Sequence, residues 1–321
     1  MGLQLKRSII IALKFVVAIA LLGLIFVIVK PASIIAAAKT AKFSLIVTGA
    51  ILMPLNLFIQ QYKWRYLVKL VKPDVSYTET IGSLLAGYSF GILTPGRIGE
   101  YSRALFIKDT KPLKLIGLTI IDKFYNLGMT IAVGLPALLT LPWMANSFPT
   151  YLFVALLILL AIGDLILLYF ALDPRLARSL IYAIQINFPK QGKISQLLGG
   201  LDRFSAPQAR RMLLYTSLYY LTFQAQYFLM ISGFAGISLT SSIRAAAATL
   251  FTKSALPIAI GDLGLDQLAS MTFFGQFGIS DAAALNASIM MFAVNVLIPS
   301  LAGIPFASRF QLGKSKNKET T

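Results

Sequence analysis

The chain has 321 residues, 57% of them apolar (AVILMFWYC) and 13% charged, with a mean hydropathy of +0.76. Soluble domains usually carry about a quarter charged residues, so the composition excludes a water-soluble globular enzyme. The chain has no cysteine and no histidine, which excludes disulfide scaffolds, thiolate or imidazole metal sites, and catalysis by either side chain. The 29 Lys+Arg against 12 Asp+Glu point to loops beside anionic lipid rather than to nucleic acid.

A spanning helix needs roughly 20 apolar residues. Taken in chain order, the stretches 9–29, 43–60, 115–141, 151–172, 212–236 and 281–305 qualify. The first is too long an apolar run for a signal-peptide core, so we expect it to be retained. Two more apolar stretches, 77–93 and 244–260, run into Pro/Gly breaks and are followed by short helical patterns.

Basic residues orient the bundle. With the N-terminus in the cytoplasm, 22 of the Lys and Arg side chains fall inside, among them all four between 61 and 76, and four fall outside. Lys14, Lys123 and Lys253 lie within apolar stretches. Both flanks of 77–93 are then cytoplasmic and both flanks of 244–277 external, so each must enter and return on one side. The expected fold is an all-α polytopic membrane protein with six full spans and two re-entrant hairpins, multi-pass in the cell (inner) membrane with both termini cytoplasmic.

This order is an inverted-topology repeat, in which interrupted segments mark the binding site of many transporters. Residues 1–148 form the first repeat, with its hairpin at about 77–107. Residues 149–308 form the second, with its hairpin at about 244–277 and a basic connector at 173–211, and 309–321 are a basic tail. Pro95-Gly96-Arg97-Ile98-Gly99-Glu100 and Pro257-Ile258-Ala259-Ile260-Gly261-Asp262 share the pattern P-x-x-I-G-acid, one at the tip or turn of each hairpin. Pro95 and Pro257 end a helix, while Gly99 and Gly261 permit a turn or a close backbone approach. A helix beginning after each break offers free N–H groups to an anion.

Arg97 beside the first break is a candidate for a lipid phosphate, because its guanidinium offers a two-pronged fork; the competing reading has it reach to the cytoplasmic headgroups. Glu100 and Arg103 are three apart and share a helix face, as a salt bridge or in transport. Asp262 and Asp266 also share a face, with no basic residue in the forty that follow, and are candidates for a cationic headgroup or for protons. Asp122 and Lys123 come early in their span, where Lys123 is expected to reach the interface. Asp164, in mid-span, requires a partner, a proton or water. Asn56, Gln60, Gln224 and Gln226 read as interhelical hydrogen bonding. No catalytic residue, metal or cofactor is expected.

At Leu93-Thr94-Pro95-Gly96-Arg97-Ile98-Gly99-Glu100-Tyr101-Ser102-Arg103 the sequence resembles the transmembrane, flippase-like region of lysylphosphatidylglycerol synthases and their stand-alone relatives. The family pattern P-G-R-x-G-E-x-x-R is matched by Pro95, Gly96, Arg97, Gly99, Glu100 and Arg103, and Trp64-Arg65 and Ile121-Asp122-Lys123 resemble family positions. The resemblance implies a lipid-binding role for Thr94, Gly96, Gly99 and Asp122 beside the charged residues. A second pattern, near L-P-x-x-x-x-G-x-G-x-R-E, is partly met from Leu256-Pro257 to Leu263-Gly264-Leu265, with Asp266-Gln267 in place of Arg-Glu. Its hinge, Gly264, competes with Gly261, and either Asp262 or Asp266 is the acid of the second hairpin.

The chain ends shortly after the last span, without the aminoacyl-transferring domain of the two-domain synthases, so what the resemblance implies is a lipid-translocating or lipid-binding module without transferase activity. Its partners would be membrane lipids, with anionic inner-leaflet lipid at the basic loops. The alternatives are a non-transporting partner of a lipid-modifying enzyme, or an embedded lipid transferase or phosphatase.

Overall fold

The computed structural model describes residues 31–174, 204–256 and 263–316, with side chains up to Ser308. The expected first span, most of the basic connector, the side chains of the tail, and Pro257, Gly261 and Asp262 lie outside the described residues.

The described residues form helices and turns and no strand. In order these are α1 (Pro31–Lys39), α2 (Phe43–Val68), α3 (Tyr77–Ile92), a 3₁₀ helix (Ile98–Phe106), α4 (Pro112–Leu139), a single helical turn (Pro142–Ala145) and α5 (Thr150–Leu172). Then follow α6 (Ala206–Phe234), α7 (Leu239–Ala255), α8 (Leu265–Gly275), α9 (Asp281–Phe292), a π turn (Ala293–Leu297) and α10 (Ile298–Lys316).

Among the described residues, four helical segments are long and apolar enough to cross a membrane: Phe43–Val68, Pro112–Leu139, Thr150–Leu172 and Asp281–Ser308. Helix α6 passes that test only together with α7, to which it is bent by 113°. Its own apolar surface is diluted by Gln224, Gln226 and several hydroxyl side chains. On α5, Tyr151, Leu159 and Leu165 are largely exposed. A helix apolar on all sides and uncovered by protein requires lipid around it, and the chain is therefore a multi-pass membrane protein.

Short polar residues start the helices. The Ser76 hydroxyl accepts from Glu79 N–H at 3.1 Å, and the Ser238 hydroxyl from Ser241 N–H at 3.2 Å, each satisfying a free donor of the first turn. In both caps the serine hydroxyl also lies 3.1 Å from a threonine hydroxyl two positions on, Thr78 or Thr240. The two caps begin α3 and α7.

Two apolar cores hold the bundle. One gathers Trp64, Leu84, Leu115, Leu118 and Met212; the other gathers Tyr227, Met230, Phe274, Ala284 and Met291. Helix α2 packs along α6, α3 along α10, and α7 along α4. The last two contacts are built alike. A Cβ added at Gly303 of α10 would strike Leu85 O and Ser89 Oγ of α3, and one at Gly134 of α4 would strike Ala247 O and Phe251 of α7. Counted from the caps Ser76 and Ser238, Leu85 and Ala247 hold the same position on their helices, and so do Ser89 and Phe251.

These contacts leave no room for a methyl group. Gly303→Ala and Gly134→Ala should each destabilise the protein by about 1–3 kcal/mol through overpacking. Gly163→Ala, where nothing lies within 4 Å, should not. The thermal unfolding midpoint in detergent separates the three variants.

Candidate functional site

Helix α3 stops at Ile92, and the chain turns back through Gly96 (φ 56°) and Arg97 (φ 54°), both left-handed. Arg97 holds that conformation at the cost of local strain, because an L side chain is disfavoured there. Thr94 braces the turn: its hydroxyl accepts from Gly99 N–H at 2.6 Å, and it lies within reach of the carbonyls of Phe90 and Gly91. A Cβ at Gly99 would overlap the Phe90 carbonyl, and one at Gly91 would meet Glu100 Cγ at 2.7 Å. These glycines let the 3₁₀ helix lie against α3.

Six charged side chains meet where the 3₁₀ helix faces α2 and α4. Asp122 is held from two sides. Its Oδ1 is 2.8 Å from Lys63 Nζ, and its Oδ2 accepts from Arg103 Nη2 at 2.8 Å. The three side chains are only 5%, 1% and 3% exposed. Lys63 also donates to Asn126 Oδ1 at 2.6 Å, and Arg103 Nε donates to Thr119 Oγ1 at 3.2 Å. The Arg103 guanidinium lies 4.0 Å above the Trp64 ring, whose N–H donates to Ser83 Oγ at 3.1 Å. Ser83 in turn donates to Arg103 O at 2.8 Å, so backbone and head of Arg103 are both fixed.

Glu100 is also shared. Arg97 Nη2 lies 2.5 Å from its Oε1, and Lys123 binds its Oε2. This half is more open, with the Lys123 side chain 34% exposed. Arg97 also lies 4.9 Å from the Tyr88 ring, and the Tyr88 hydroxyl accepts from Gln60 Nε2 at 2.5 Å. Gln60, Tyr88, Glu100, Arg103, Asp122 and Lys123 border a cavity of about 10 Å³, the size of one water.

Several sequence expectations are corrected here. Glu100 and Arg103 do not pair with each other, because the 3₁₀ helix turns Glu100 to Lys123 and Arg103 to Asp122. Lys123 is an ion-pair partner in the cluster, since Glu100 from the hairpin reaches it before the membrane surface does. Lys63 is not in a loop: α2 runs on to Val68 and buries it. Lys63 was missed because the apolar run ends at Gln60, although the absence of any helix breaker just after it would have carried the span onward.

The second hairpin is arranged differently. Asp266 at the start of α8 is buried and lies 3.7 Å from Lys253 Nζ of α7, so the expectation of an unpaired acid fails: its partner precedes it. Gly264 adopts φ 85°, and its N–H donates to Gln267 Oε1 at 2.7 Å, which fits a hinge at the start of α8. Asp164 is half-buried on α5.

The family model of the lysylphosphatidylglycerol synthase TM region matches residues 11–303. The chain belongs to that family. The match takes in both cores, both hairpins and every residue of the cluster. No curated protein matches this lysylphosphatidylglycerol synthase TM-region chain.

Removing one carboxylate tests how the buried half is held. Asp122→Asn leaves Lys63 and Arg103 buried without their anion and should cost about 3–5 kcal/mol. Adding Lys63→Met should recover part of the loss. Unfolding midpoints of the single and double variants in detergent check both statements.

Proposed function

We propose that the protein is a flippase-like transporter that carries a phosphate-bearing lipid between leaflets without altering it chemically. The observation that supports this most is the sharing of carboxylates. Lys63, Arg97, Arg103 and Lys123 gather around Glu100 and Asp122, so these six side chains sum to a formal charge of +2. Ionisable groups within a membrane are expensive and tend to mark substrate paths. A phosphate, with its several acceptor oxygens, is the lipid group that such a cluster complements.

The two halves of the cluster have different parts. Asp122, Lys63 and Arg103 are buried and braced, with Arg103 held by Asp122, Thr119 and Trp64. Glu100, Arg97 and Lys123 stand at the open end. The cavity admits only a water, so a phosphate enters by displacing the Glu100 carboxylate from Arg97 and Lys123. On release, Glu100 returns and closes the site.

The lipid would then pass by alternating access, one half rocking against the other. The reading includes six spans, two re-entrant hairpins and cytoplasmic termini. The twin serine caps and twin glycine contacts support two inverted halves. A simple membrane partner of another enzyme would have no use for a braced cationic cluster at a helix break.

Leaflet exchange in liposomes tests the proposal. The protein should accelerate exchange of labelled lipids carrying an anionic phosphate, with their mass unchanged. Arg97→Ala and Lys123→Met should slow exchange roughly ten- to hundredfold, the size of lost charge-assisted hydrogen bonds, and Arg97→Lys should fall between. No acceleration by folded, inserted wild type would sink the transport reading and favour the partner role.

A further inference from the structure

The two carboxylates of the cluster are held in different ways. Asp122 lies between Lys63 and Arg103, and each of those cations also donates to a neutral oxygen, on Asn126 and on Thr119. Glu100 lies between Arg97 and Lys123. Among the described residues, Lys123 has no other hydrogen bond or ion pair. Its ammonium thus depends on Glu100 for an anion.

Glu100 binds in the manner of a phosphodiester. One oxygen of its carboxylate lies against the cation of the hairpin turn, and the other against the cation of α4. A lipid phosphodiester likewise spreads one negative charge over two free oxygens, and it can meet the same two cations in the same way. Replacing one anion by the other leaves the local charge unchanged. Two cations share one anion in either case.

The carboxylate is also tethered close to its partners. Glu100 lies in the first turn of the 3₁₀ helix, and its N–H donates to Arg97 O at 3.0 Å. Its side chain passes over Gly91 of α3, where an added Cβ would meet Glu100 Cγ. A group held this near its partners has a high effective concentration.

A carrier that moves lipid in one direction has to return empty. With the phosphate gone and nothing in its place, Arg97 and Lys123 would be two like charges within the membrane without their anion, which is strongly unfavourable. A protein in that state waits for another phosphate before it turns back, and so it only exchanges lipid for lipid. Glu100 removes this obstacle, because it leaves the empty site as well neutralised as the loaded one.

We propose that Glu100 is a built-in substitute for the lipid phosphate, which lets the empty protein change sides and makes the transporter a one-way carrier instead of an obligate exchanger. The same tethered anion competes with the lipid and so favours its release. This inference rests on the transport reading above.

Two conditions separate one-way movement from exchange. The protein is placed in vesicles of digalactosyldiacylglycerol, a bilayer lipid without phosphate, in potassium gluconate with valinomycin to hold the membrane potential at zero. Acyl-labelled phosphatidylglycerol enters the outer leaflet, with unlabelled phosphatidylglycerol either absent from the inner leaflet or present there. Dithionite then reads the label left outside. Wild type should move the label at closely similar rates in the two conditions. In Glu100→Gln, one-way movement should fall roughly tenfold or more relative to exchange. That variant should also retain more phosphatidylglycerol than wild type through purification, as native mass spectrometry reads it, because its cations have lost their internal competitor.

Movement by wild type only when the inner leaflet holds phosphatidylglycerol would overturn the inference and leave the transport reading standing. A wild-type ratio of the two rates in Glu100→Gln would overturn it too. Where that variant fails to fold, as its thermal unfolding shows, the two wild-type rates decide. No movement in either condition by folded, inserted wild type would overturn the transport reading and this inference with it.

Discussion

The cationic site depends on Asp122, a carboxylate buried in α4 and gripped by Lys63 of α2 and Arg103 of the 3₁₀ helix. Each of these charges alone would be intolerable at that depth. Together they tie three elements that are distant in sequence. Arg103 must lie on Trp64 to reach Asp122, and Ser83 must take the backbone of Arg103 for the hairpin to sit there. Glycines at 87, 91 and 99 follow from the same demand, since a side chain at 87 or 91 would press on the returning chain and one at 99 would strike the Phe90 carbonyl of α3. The P-G-R-x-G-E-x-x-R segment is thus a chain reversal and a charge cluster at once.

The cluster is graded from a fixed end to a loose end. Asp122 and its partners have little contact with solvent, and Glu100 and its partners have more. Such a gradient suits a site that must hold its shape and still exchange a partner. An arrangement buried throughout would be a structural staple, and one exposed throughout would be screened by salt. The left-handed Arg97 belongs to the loose end, so the strained backbone of the turn lies there too.

Helices α3 and α7 are built with the same local devices. Both start with a Ser-x-Thr cap, and each is met by a glycine of a neighbouring helix, Gly303 of α10 against α3 and Gly134 of α4 against α7. The chemistry around them differs: Lys63 of α2 is held in an ion pair with Asp122, whereas Gln226 of α6 meets the amide of Asn56.

Composition and hydropathy alone determined that this chain is helical and crosses a membrane, because a surface this apolar has no other stable setting. The breaks at Pro95 and Gly96, and the resemblance of residues 95–103 to one membrane family, were equally legible, since turn chemistry and motif are local. What sequence could not decide was who pairs with whom. Lys63 looked like a loop charge, Lys123 like an interfacial one, and Asp266 like an acid without a base. Each has its partner on another element: Asp122 for Lys63, Glu100 for Lys123 and Lys253 for Asp266. Only packing brings those groups within ion-pair distance, and inside a membrane that distance determines whether a charge can be buried at all.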